Sequence, residues 1–285
     1  MLCGLYLPYA LLGSSLFFHW ISKRLAGLLF LGSLVVGFLY CTVRVEAFLA
    51  ILSLVGLLFL IKINSNKWLK IIGHLGFFTL SFLLFFNKIP VFNNFRVLES
   101  VQFCTNCAPF TMYLNAETAI IGFLILSFLV PVARSFKDFR VAIQSTLVWM
   151  PLCIIVLIGS ATLIGYVKFD SKVPSSLLLW SLNNFFLVCI GEEAFFRGYV
   201  QKNLTEFCQR HNFSYLFAIA VASILFGLRH ITGGMPFVIL STIAGFFYGM
   251  AYYKSGKIEA GILTHFGLNL VHFLFFSYPF LMLTR

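Results

Sequence analysis

Apolar residues gather in blocks along this chain, and short polar breaks separate the blocks. A helix that crosses a bilayer needs ~20 mostly apolar residues. By that ruler ten blocks qualify, near residues 3–20, 25–41, 45–61, 68–86, 118–133, 141–167, 176–196, 213–231, 235–253 and 260–280. Several fall short of a full span, so the pattern predicts an all-α, polytopic transmembrane bundle of about 8–10 helices. The first block has neither a basic leader nor a small-residue cleavage site and reads as a retained helix, not a signal peptide.

Composition agrees with the pattern. Of 285 residues, 60% are hydrophobic and 10% charged, far too apolar a balance for a soluble globular domain. A net charge of +11 would suggest nucleic acid for a soluble protein, but its distribution points to the lipid bilayer. Assigning successive loops to alternate sides puts thirteen Lys and Arg on one side and seven on the other. The richer side is expected in the cytoplasm, which places both termini outside. Topology thus accounts for the charge, and no nucleic-acid partner is implied.

The seven cysteines are an odd set for a disulfide framework. Cys3, Cys41, Cys153 and Cys189 fall in apolar runs, where cysteine behaves as a small buried hydrophobe. Cys104 and Cys107, in "FCTNCAP", stand in a polar loop on the expected outer side, as a redox pair or a local disulfide, with no further role assigned. Residues 1–86 hold four apolar runs and no concentrated polar constellation, and 87–117 form the longest polar interruption, a loop or interfacial segment. The chain therefore divides into an N-terminal transmembrane region, 1–135, to which the sequence assigns no role, and residues 136–285, which carry the chemistry.

Ionisable groups inside apolar runs are costly in lipid and mark functional positions by default. Three groups occur here. In "CIGEEAFFRGYVQ", Glu193 and Arg197 are four apart with the acid first, the favourable orientation for a helical ion pair. Glu192 is rotated about 100° from Glu193 and is the carboxylate left free. In "FGLRHI", His230 shares a face with Phe226, and Arg229 beside it is expected to snorkel to the interface or a lipid phosphate. The following "TGGMP" breaks the helix. In "LTHFGLNLVHF", His265 and Asn269 share one face of the last helix, and His272 further along reads as structural. Each group taken singly also fits a purely structural role: an ion-pair network, a helix-end histidine, interhelical hydrogen bonding.

Together they suit amide hydrolysis by activated water. A carboxylate in an apolar pocket serves as a general base. One histidine can hold the same water and move its proton, and a second histidine with an amide can stabilise an oxyanion. No serine or cysteine has an evident base partner, so no covalent nucleophile is expected.

"EEAFFR", "FGLRH" and "HFGLN", in that order, resemble the three motifs of the CPBP (CAAX protease and bacteriocin-processing, or Abi) family of intramembrane proteases, which includes the type II CAAX prenyl endopeptidases. The resemblance covers about residues 185–275. It implies an intramembrane endopeptidase with a polar chamber among the C-terminal helices. Glu192 and His230 would activate water, His265 and Asn269 would form the oxyanion site, and Glu193, Arg197 and Phe226 would support them. The favoured reading needs no metal. The alternative is zinc held by Glu192, His230 and His265. Partners would be a membrane peptide or protein substrate, prenylated or not, in a multi-pass protein of a bacterial inner membrane or a eukaryotic endomembrane. Rival readings are a proton-coupled transporter, disfavoured by the lack of an internal repeat, and a non-catalytic membrane binding or immunity protein.

Overall fold

The computed structural model describes residues 2–63 and 65–282. Among them the chain forms ten helices and one small sheet. The first four helices are α1 (Leu2–Phe18), α2 (Lys23–Leu39), α3 (Val45–Ile63) and α4 (Lys67–Phe85). Strands β1 (Arg96–Val101) and β2 (Phe110–Tyr113) follow, and then α5 (Ala116–Phe128) and α6 (Phe136–Leu163). A continuous helix over 177–210 is α7, and α8 (Tyr215–Leu228), α9 (Met235–Ser255) and α10 (Ile258–Phe275) complete the bundle. Of these, α3, α4, α6, α9 and α10 are each long and apolar enough to cross a membrane. The protein is an integral membrane helical bundle.

Local sequence sets the helix ends. Side chains of Ser22, Asn66 and Ser214 accept from first-turn N–H groups of α2, α4 and α8. Ser135 and Asp138 form a reciprocal capping box on α6. Gly256, at φ 64°, ends α9 in the left-handed conformation that glycine adopts without strain.

Four boundaries differ from the pattern-based expectation. Helix α5 stops at Phe128, not near 133, because Pro131 disfavours helical backbone before it. Helix α7 runs on past 196 to 210 and carries Arg197 and Gln201 inside the bundle. The last helix ends at Phe275, leaving 276–282 as an extended tail. The polar segment 87–117 contains an antiparallel pair, with Arg96 opposite Tyr113 and Val101 opposite Phe110, which block counting does not register. Cys104 and Cys107 are disulfide-bonded in its turn. Cys153 and Cys189 are buried as expected, whereas Cys41 is exposed in the turn after α2. The side chain of Cys3 lies outside the described residues.

Helix α5 sits at the centre, buried from Ala116 through Leu126, as befits a helix apolar on every side. It crosses α7 at glycine: a Cβ on Gly122 would lie 2.6 Å from Gly191 Cα, and one on Gly191 would lie 2.3 Å from Thr118 O. That backbone contact fixes the depth of the residue after Gly191, which is Glu192.

The helix ends gather on two faces. Arg134 Nη1 donates to Trp20 O, Trp20 Nε1 and Ala133 N both donate to Glu259 Oε1, and Lys257 pairs with Asp138, which ties the connections after α1, α5 and α9 into one face. The opposite face collects the hairpin, the loop 164–176, the turn 229–234 and the tail. There Phe169 bridges to Phe276, Cys107 to Leu281 and Val43 to Phe92. These are called below the basic face and the hairpin face.

Candidate active site

Helix α7 carries the first polar group. Its α-helical pieces Leu177–Leu182, Ile190–Glu193 and Lys202–Arg210 alternate with wider π-helical stretches, Asn183–Cys189 and Ala194–Gln201. Such stretches are rare and often mark functional segments. Glu192 and Glu193 occupy the short α-helical piece between them. Both are buried, at 4% and 0% exposure, as is Arg197 at 0%.

The two carboxylates part ways, as their helical positions require. Glu193 Oε2 lies 3.2 Å from Arg197 Nε, and Glu193 Oε1 lies 3.0 Å from His265 Nδ1. Glu192 turns toward a cavity of about 300 Å³ and keeps Oε2 without a hydrogen-bond partner. The Glu193–Arg197 contact is off the hydrogen-bond axis, since neither Oε2 nor Nε makes a hydrogen bond. Arg197 is held in addition by a bond from Nη2 to Gly245 O at 2.8 Å and by the faces of Phe226 and Tyr248, 4.7 and 5.4 Å from its guanidinium carbon. One turn further, Gln201 Nε2 donates to Gly249 O at 2.9 Å. Helix α7 is thus stitched to the backbone of α9 by two polar side chains.

The histidines take defined tautomers. His230 Nδ1 lies 2.9 Å from Phe226 O. A carbonyl only accepts, so Nδ1 carries the proton and a neutral ring leaves the Nε2 lone pair free. His265 Nδ1 likewise donates to Glu193 Oε1 at 3.0 Å. The His265 ring stacks on Tyr248 with centroids 4.5 Å apart. The ring of Phe226 stands between the two histidines, 4.9 Å from His230 and 5.5 Å from His265. Short α8 reaches this position because Gly227 packs directly on α9, where a Cβ would fall 1.9 Å from Thr242 Oγ1.

Glu192, Phe226, His230, His265 and Asn269 all line the same cavity. Glu193 and Arg197 lie behind it, one on His265 and the other on Glu193. Asn269 Nδ2 donates to Asn184 Oδ1 at 3.2 Å and otherwise approaches only Cys189 Sγ, at 3.9 Å. Asn184 also accepts from Cys189 Sγ at 3.3 Å. Asn184, Tyr248 and Ser241 are chamber residues that motif reasoning missed. The asparagine pair within the apolar run "LWSLNNFFLV" was the available signal.

Two neighbours of the motifs are engaged by other partners, although His272 also lines the cavity. Arg229 does not simply reach for the membrane surface: its guanidinium rests on the rings of Phe85 and Phe86 at 5.7 and 5.8 Å, where α4 supplies cation–π partners. His272 Nε2 donates to Ser277 O at 3.1 Å and anchors the tail. Among the described residues, no three His, Cys, Asp or Glu side chains come together in a set that could hold a metal ion. Glu192, His230 and His265 share a cavity without forming a ligand cluster. A second groove, of about 460 Å³, lies between α1 and α7 and is lined chiefly by Tyr6, Tyr9, Phe17, Leu182, Asn183 and Phe186. Among the described residues, no acid, histidine or cysteine lines it.

No curated protein and no solved structure matches the chain. Residues 174–271, which hold α7 to α9, most of α10 and Glu192, Glu193, Arg197, His230, His265 and Asn269, match the family model of the Rce1-like type II CAAX prenyl endopeptidases. Through that segment, about a third of the chain, it is similar to the Rce1-like type II CAAX prenyl endopeptidases.

Proposed function

We propose that the chamber hydrolyses peptide bonds with a water activated by Glu192 and His230. The observation that carries this reading is the separation of two adjacent glutamates into one paired and one free. Glu193 is engaged by Arg197 and His265, while Glu192 faces the cavity with an unpartnered oxygen. In water-excluding surroundings a free carboxylate acts as general base. Glu192 takes one proton of the water, and the Nε2 lone pair of His230 accepts its other hydrogen as a hydrogen bond and orients it. The oxygen attacks the carbonyl carbon, and the C=O electron pair moves onto oxygen.

That oxyanion needs donors. His265, whose ring Glu193 fixes through Nδ1, and Asn269, whose second N–H is free to leave its weak sulfur contact, are the residues placed to supply them. Collapse of the intermediate expels the amine, which takes the proton from Glu192. In this scheme Glu192, His230, His265 and Asn269 are catalytic, and Glu193, Arg197 and Phe226 are positioning residues. The proposed functional domain, 136–285, adds α6 to the matched segment because Leu157, Ile158 and Ala161 supply a wall of the chamber, and Phe110 of β2 also reaches its lining.

Glu192→Gln tests the base. Purified in detergent or in liposomes, the variant should fold and lose hydrolysis of substrates identified by comparing membrane proteomes with and without the active chain. A variant that cleaves at the normal rate refutes the assignment. A chelator titration alongside elemental analysis tests the metal-free scheme, which fails if activity and stoichiometric zinc disappear together and zinc restores activity.

A further inference from the structure

Arg229 follows the last residue of α8, in the turn that carries His230 on the hairpin face. Among the described residues its guanidinium makes no hydrogen bond and no ion pair, and Nε is buried without a partner. What holds it is apolar. The rings of Phe85 and Phe86 lie 5.7 and 5.8 Å from the guanidinium carbon, and Phe85 is itself buried, so the side chain rests on a fixed shelf. Glu117, on the first turn of α5, is close enough to couple electrostatically with Arg229 but does not pair with it. Both carboxylate oxygens of Glu117 accept from Asn94 Nδ2 instead, at 3.0 and 2.8 Å.

A guanidinium presents its N–H donors in a planar fork that matches a phosphate or carboxylate two bonds at a time. Aromatic faces attract the charge but leave those donors unmade, which is costly in partly desolvated surroundings. The neighbouring side chains say what kind of anion can reach the fork. Leu228, Ile231 and Met235, around the same turn, are 39%, 53% and 65% exposed. In a bilayer protein such side chains face acyl chains, so the anion must come attached to apolar chains of its own. Helices α4 and α8 both end beside Arg229, at Phe85 and Leu228, and Lys88, exposed in the turn after α4, adds a second positive charge two residues beyond Phe86. Basic pockets between helices at this level recognise lipid headgroups. Arg229 is not among the residues that line the chamber, which separates it from a group on a bound substrate.

We infer that Arg229, on its shelf of Phe85 and Phe86, binds the phosphodiester of a membrane phospholipid and seats that headgroup against the turn that carries His230. The phosphate oxygens accept from the terminal nitrogens of the fork, since Nε is enclosed. The acyl chains lie along Leu228, Ile231 and Met235, and Lys88 adds longer-range attraction. Binding of this kind is independent of the hydrolytic reading of the chamber.

Native mass spectrometry of the full chain in detergent tests this with dioleoyl phosphatidylglycerol, with dioleoylglycerol, which has the same chains and no phosphate, and with inorganic phosphate. The wild type should bind phosphatidylglycerol about tenfold more tightly than dioleoylglycerol, the gain expected from charge-assisted hydrogen bonds to the phosphate. Arg229→Leu should lose that preference. Arg229→Lys, a point charge without the fork, should keep part of it. Equal binding of the two lipids by the wild type overturns the inference, and so does an undiminished preference in Arg229→Leu. Displacement of the lipid by millimolar inorganic phosphate assigns the fork to a soluble anion and overturns the lipid as its ligand. If Arg229→Leu fails to fold, the comparison of the two lipids on the wild type and on Arg229→Lys still decides.

Discussion

Replacing Glu193 with Gln probes the division of labour between the adjacent carboxylates. The substitution keeps shape and volume but removes the charge 3.2 Å from Arg197 Nε, at a site with 0% exposure for both partners. Breaking a buried pair by neutralising one partner costs ~3–5 kcal/mol, because the remaining charge stays desolvated. The Gly245 carbonyl and the rings of Phe226 and Tyr248 still hold the guanidinium, so the lower end, ~3 kcal/mol, is expected. At ~2–4 °C per kcal/mol for a chain of this size, the melting midpoint in detergent falls by ~6–12 °C. Glu192→Gln, whose Oε2 has no hydrogen-bond partner, should leave the midpoint unchanged or raise it slightly, since an unpaired buried carboxylate is a cost to folding. A double variant, Glu193→Gln with Arg197→Met, should lose less than the sum of its single variants, with a coupling of ~0.5–3 kcal/mol. Thermal unfolding followed by tryptophan fluorescence gives all four numbers. Equal midpoints for the two glutamate variants, or losses that simply add, would refute the argument that one acid is structural and the other free.

Two further outcomes follow from the same geometry. Asn269→Ala should lower kcat by ~10²–10³ with little change in KM, as expected for a donor used only in the transition state, and an unchanged kcat in a steady-state assay would remove Asn269 from the oxyanion site. Gly191→Ala would place a methyl 2.3 Å from Thr118 O, costing ~1–3 kcal/mol by overpacking and shifting Glu192. Activity per folded molecule should therefore fall along with the midpoint, and a variant normal in both measures would show that the helix crossing does not set the depth of Glu192.

Much of the bundle is legible from the blocks of apolar residues, because each transmembrane helix must satisfy its own backbone and so declares itself by length and composition. All ten blocks correspond to helices. What the blocks do not declare is tertiary. Nothing in a hydropathy window distinguishes α5, buried on every side, from a lipid-facing helix. The continuation of α7 to 210 requires knowing that α9 offers carbonyls at Gly245 and Gly249 to Arg197 and Gln201. The pairing of Glu193 with Arg197 is readable from four-residue spacing, since both partners lie on one helix. Its second partner, His265, is 72 residues away and is invisible to local geometry. So is the Asn184 acceptor that occupies one N–H of Asn269.

The hairpin-face rim has a consequence for how the protein is made. Its edges are drawn from distant parts of the chain: Ser277 N donates to Lys168 O, Leu281 N to Tyr166 O, Ala108 N to Phe280 O and Met282 N to Asn106 O. Chains fold largely in the order they leave the ribosome, yet none of these contacts exists until residues 276–282 have been translated. A nascent chain therefore passes through a stage at which Glu192, His230, His265 and Asn269 are present and this rim is unframed. Docking of residues 276–282 therefore follows the formation of α7 to α10 and completes this rim.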